Sequence, residues 1–122
     1  MASTKAVTAI WSGQNLVAGA GDTTSSAVTL DDGYGAGLHI KLTNGATGPT
    51  IAAQVQIETS ADNSEWYDLG GPLVGGTGNS GVRSWGGIEI PIGVEYIRVV
   101  AGSNTDQNVV VDADISEVTA VS

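Results

Sequence analysis

The chain is predicted to be all-β, an antiparallel two-sheet β-sandwich or jelly roll of about eight short strands. Three observations predict it. Apolar and polar residues alternate strictly in Leu38–Thr43, Ile51–Glu58 and Val109–Ser116, the period of two expected when one strand face is buried. Turn-forming clusters rich in Gly, Asn, Asp and Ser recur between these runs at about 8–12-residue spacing. No segment carries the 3.6-residue apolar repeat of an amphipathic helix.

Ala6–Trp11 and Ala27–Leu30 are the first strand candidates, separated by the turn Gly19-Ala20-Gly21-Asp22 and followed by Asp31-Asp32-Gly33-Tyr34-Gly35. In Leu38–Thr43, Leu38, Ile40 and Leu42 face one way and His39, Lys41 and Thr43 the other, before Asn44-Gly45 turns the chain. Beyond Gly48-Pro49, Ile51, Ala53, Val55 and Ile57 alternate with polar or small residues, and the two runs are expected to be antiparallel neighbours. Ser60–Ser64 reads as a turn, Trp66–Leu69 as a short strand ending at Gly70-Gly71-Pro72, and Gly75–Gly81 as the most mobile internal loop. Strands near Val82–Ile90, Val94–Ala101 and Val109–Ser116 complete the set, with Gly102–Asp106 as the last turn.

One domain is expected over residues 1–122, with an extended N-terminal arm at 1–5. Thirteen acidic against four basic residues give a net charge of −9, which phosphate backbones and anionic membrane surfaces repel, so neither nucleic acid nor membrane is an expected partner. The chain has no cysteine, which excludes disulfides, thiolate metal sites and cysteine nucleophiles. No apolar run suggests a signal peptide or membrane anchor, so synthesis in a host cytoplasm is expected.

Catalysis requires convergent groups of tuned acidity, and the chain offers one histidine and no recognisable nucleophile motif; it is expected not to be an enzyme and to need no cofactor. His39 falls on a polar strand face and is expected to be solvated or at an interface. Asp31-Asp32 and the pair Asp112 and Asp114 have the chemistry of calcium ligands but not the spacing of a calcium loop, and Gly75–Gly81 lacks the lysine and helix of a phosphate loop. A hydrolase would need two facing carboxylates, for which Glu58 and Glu89 are the candidates. With no phenylalanine, tryptophans are expected to contribute to the core. The partner-contact candidates are Trp11, Tyr34, Trp66, Arg83 and Trp85, and Tyr34, set among turn glycines, is the least explained by core packing. Arg83 and Arg98, rare cations here, are expected to pair with carboxylates within the chain or between subunits.

The stretch Val55-Gln56-Ile57-Glu58-Thr59-Ser60-Ala61-Asp62-Asn63-Ser64-Glu65-Trp66-Tyr67-Asp68-Leu69-Gly70, with Pro91-Ile92-Gly93-Val94-Glu95-Tyr96-Ile97-Arg98-Val99 after it, resembles small β-sandwich proteins encoded among tailed-phage structural genes. Among these the chain is most similar to capsid decoration, or head cement, proteins, which are likewise short, acidic and cysteine-free. The resemblance implies a virion protein on the capsid exterior that binds the major capsid protein and copies of itself, as a homotrimer, and stabilises the shell. No site residue carries over with it. The alternative is a carbohydrate-binding or adhesion domain of a tail fibre or baseplate, which would bind a glycan in a groove where an aromatic lies beside Asp, Asn or Arg groups.

Overall fold

The computed structural model describes residues 3–30 and 35–121. The described residues form ten strands and no helix: β1 (Ser3–Leu16), β2 (Thr23–Thr24), β3 (Val28–Thr29), β4 (Ala36–Asn44), β5 (Gln54–Ser60), β6 (Tyr67–Asp68), β7 (Leu73–Val74), β8 (Val82–Ile90), β9 (Tyr96–Gly102) and β10 (Val109–Val121). They make two antiparallel sheets, one of four strands in the order β1-β10-β4-β8 and one of six built on β2-β9-β5-β6, with β3 also on β9 and β7 also on β5.

Because β2 and β3 share the partner β9, and β6 and β7 share β5, each couple is one interrupted strand. Counted so, the described residues make eight strands paired first with last, second with seventh, third with sixth and fourth with fifth. That nesting is a long hairpin wrapped over on itself, the jelly-roll form of the sandwich. The interruption in the second strand is bridged by a side chain: Ser25 N–H donates to Val99 O at 2.9 Å, and Val99 N–H donates to Ser25 Oγ at 3.0 Å.

The alternating runs supply the core. Leu38, Ile40 and Leu42 of β4 and Val109, Val111, Ala113 and Ile115 of β10 face Val55 and Ile57 of β5 and Ile97, Val99 and Ala101 of β9, all buried. β4 and β5 are not neighbours, contrary to the expectation from their shared pattern: β4 lies between β10 and β8, and β5 beside β9 in the other sheet. Alternation reports only that one face is buried, and here the two faces meet across the core. Residues 45–53 therefore cross from one sheet to the other instead of closing a hairpin.

Gly75–Gly81, expected to be the most mobile loop, is tied down. Asn44, buried at the end of β4, donates through Nδ2 to Gly76 O (3.1 Å) and Gly78 O (2.9 Å), and Asn79 Oδ1 accepts from Gly48 N–H at 3.0 Å. Gly48 permits the approach, since a Cβ there would lie 2.0 Å from Thr77 O. The strand expected at Ala6–Trp11 runs farther in both directions, because its partner is the long β10; Ser3 stands opposite Val121, so residues 3–5 sit in the ladder, while residues 1–2 of the expected arm at 1–5 lie outside the described residues.

The outer face of the four-stranded sheet

In an antiparallel ladder, residues directly opposite share a face. The registers of β1, β10, β4 and β8 thus lay the solvent side of the four-stranded sheet out in rows: Val7, Ser116, Gly37 and Glu89; then Ala9, Asp114 and His39; then Asp112, Lys41 and Ser84; then Asn15, Val110, Thr43 and Val82. Most of these side chains are small or polar. His39 and Asp114, opposite each other, approach to 3.3 Å (Nδ1 to Oδ1), each side chain half exposed. One row on, Lys41 lies opposite Asp112, whose Oδ1 accepts the Gly13 N–H at 2.7 Å.

The row of His39 has no side chain on β8. The register slips between Leu38 and Ile40, so Gly86 and Gly87 together oppose His39, and Gly87 takes a φ of +66°, a left-handed conformation glycine adopts without strain. A Cβ on Gly86 would sit 3.5 Å from the His39 ring. The bulge opens a shallow trough of about 330 Å³ floored by His39, Lys41 and Ser84 and bounded by Trp85, Asp112 and Asp114. A second depression of about 440 Å³ lies on the other side of His39, over Gly37, Gly87 and Ser116.

The five contact candidates do not converge. Trp11 is half-buried on β1 and packs against the core. Trp85, also half-buried against the core, carries Arg83 over its ring at 5.5 Å, a cation–π contact in place of the expected carboxylate pairing. Trp66 belongs to the other sheet's side of the molecule, where the Arg98 guanidinium stacks 4.1 Å above its ring and Arg98 Nε donates to Glu58 Oε1 at 2.7 Å. Tyr34 and the pair Asp31-Asp32 lie outside the described residues. No tryptophan is fully buried among the described residues; the core is aliphatic.

Glu58 and Glu89 stand on different sheets, on β5 and β8, and form no carboxylate pair. Among the described residues no three His, Asp or Glu side chains gather as a metal site. One carboxyl is clearly displaced in acidity: hydrogen bonds from the Glu65 and Ser64 N–H groups, with the Ser60 hydroxyl, hold Asp62 below its ordinary 3.8. That aspartate organises the turn after β5, a structural task. The grouping of His39, Lys41, Asp112 and Asp114 over two adjacent rows is not visible in the sequence. The alternation on β4 and β10 put all four on polar faces, but only the pairing of those strands makes them neighbours.

No family model matches the chain, and no curated protein sequence matches it. Solved structures do. The VP2 subviral particle of infectious bursal disease virus superposes with a TM-score of 0.58 at 10% identity, covering 93% of this chain and 32% of that one. The SPBc2 prophage-derived protein YomS does so with a TM-score of 0.55 at 11% identity, covering 96% of each chain. The K3 cleaved adhesin domain of Lys-gingipain from Porphyromonas gingivalis gives 0.50 at 12% identity, over 91% of this chain and 70% of that one. The chain thus spans about a third of the VP2 chain it matches. At these identities the likeness is one of fold.

Proposed function

We propose that the chain is a structural virion protein that binds the outer surface of a capsid, through the major capsid protein, and stabilises the shell. The observation that carries this reading is the outer face of the four-stranded sheet, where small side chains surround His39, Lys41, Asp112 and Asp114. Such a face can lie flat against another protein, and charge pairs set orientation and specificity more than raw affinity. The fold is in keeping with it, since the similar structures include a viral particle protein and a prophage-derived protein. Many modest contacts, repeated over a symmetric shell, would add to firm attachment.

The test is co-sedimentation of the purified chain with capsids of the phage that encodes it. The wild-type chain pellets with capsids, and Lys41→Glu, which places a third carboxylate beside Asp112 and Asp114, weakens the binding while leaving the melting curve intact. A chain that stays in the supernatant at every capsid concentration refutes the reading.

A second reading rests on the trough itself. His39, Lys41, Ser84, Asp112 and Asp114 line it, polar and charged groups that suit the hydroxyls of a sugar, and the similar structures include an adhesin domain. Binding of a glycan in a panel assay, lost on Asp114→Ala without loss of capsid binding, would favour this adhesion role.

A further inference from the structure

Exposed sheet edges invite pairing with other strands, and folded proteins blunt them with short strands, bulges, proline and charge. Among the described residues, the other edges are blunted in this way. β8 carries the Gly86-Gly87 bulge with Arg83 and Glu89, while β2 with β3, and β6 with β7, are two-residue strands, the latter couple separated by Gly70-Gly71-Pro72. β1 is bulged as well, after Thr4, Ala9 and Trp11, but it keeps a five-residue unbroken run that is exposed throughout. From Lys5 to Ala9 it runs without a register slip against β10, all five residues are exposed, and Val7 is 70% exposed. Lys5 is the only charge in this stretch.

We propose that β1 is the edge through which two copies of this chain pair, antiparallel about a two-fold axis at Val7, so that the two four-stranded sheets become one of eight strands. The register follows from charge. Centred on Val7, the pairing sets Lys5 opposite the second copy's Ala9, and Ala9 stands beside Asp114 in its own ladder. Strands lie about 4.8 Å apart, so the lysine side chain can cross the small alanine and reach that carboxylate. The contact occurs twice, as two-fold symmetry requires, and it matches a cation to an anion in a chain of net charge −9 that would otherwise repel its copy. Val7 meets Val7 at the axis on the same face. This differs from the trimer implied by the resemblance, and it stands on the free edge of β1, independent of whether the chain binds capsids.

The chain has no cysteine, which makes the test direct. Facing residues on antiparallel strands bring their Cα atoms to about 4.5–5.5 Å, within disulfide range, so Val7→Cys should cross-link into a covalent dimer under mild oxidation and Ala9→Cys, which faces Lys5, should not. Light scattering of the full wild-type chain should give twice its 12.2 kDa mass. Val7→Lys, which sets like charges face to face, should weaken self-association about tenfold or more while the chain keeps the far-UV circular dichroism of the wild type. A wild-type monomer at millimolar concentration, a trimer, or cross-linking through Ala9→Cys in preference to Val7→Cys overturns the proposal. So does a monomer whose capsid binding is abolished by Val7→Lys, which would give the edge to a strand of the capsid protein. A wild-type chain that dimerises but does not bind capsids would instead refute the virion reading and leave the dimer standing.

Discussion

Ser25 and Val99 exchange two hydrogen bonds, Ser25 N–H to Val99 O at 2.9 Å and Val99 N–H to Ser25 Oγ at 3.0 Å, so that one hydroxyl replaces the main-chain acceptor missing where β2 gives way to β3. Both residues are buried. Ser25→Ala would leave a buried N–H without a partner, at a cost of about 1–3 kcal/mol. Thermal denaturation should show a Tm lower by roughly 5–10 °C, and hydrogen exchange should show the Val99 amide exchanging faster than in the wild type.

Arg98 is held from two sides, by the Trp66 ring and by Glu58 directly across the β5–β9 pair. Both charged side chains keep part of their solvent exposure, at 28% for Arg98 and 19% for Glu58, which limits the pair to about 1 kcal/mol of coupling in a double-mutant cycle. Arg98→Lys keeps the charge but loses the planar stack and the Nε donor, and should recover less than half of that coupling.

Gly48 lies against the carbonyls of the glycine loop, and a Cβ there would stand 2.0 Å from Thr77 O and 2.7 Å from Gly78 O. Those are main-chain atoms, pinned by Asn44, so the clash cannot be relieved by a rotamer change. Gly48→Ala should cost about 2–3 kcal/mol in denaturant titration, whereas Gly45→Ala, with open space around it, should stay within about 0.5 kcal/mol.

Asp62 anchors the turn after β5 as a carboxylate, and the folded state lowers its pKa below 3.8. A lowered pKa means that the charged form is favoured by folding. Its stabilisation is therefore fully present above the unfolded value and is lost as pH falls through the lower native value. The melting temperatures of wild type and Asp62→Asn should differ at pH 7 and converge as pH is lowered below about 3.8.

The fold class was legible because β4, β5, β9 and β10 each bury one face, and a period of two survives any choice of neighbour. Their partners were not legible: β4 and β5 have the same pattern, yet nested pairing places them in opposite sheets. β1 is longer than its sequence suggests because residues 5–9 face solvent on both sides and show no apolar stripe, its extent being set by β10. The looseness expected of Gly75–Gly81 failed because the loop's restraint comes from Asn44, some thirty positions away. His39 was correctly placed on a polar face, but its meeting with Asp114 depends on a pairing between strands far apart in the chain.

If the chain stabilises a capsid from outside, the temperature at which phage particles release their genome depends on whether it is bound. Particles stripped of the chain should release DNA at lower temperature. Adding the purified chain should restore the wild-type value along a saturable curve, and Lys41→Glu should shift that curve to higher concentration. Release at one temperature regardless of added chain, or a chain recovered only with detached tails, would contradict the account.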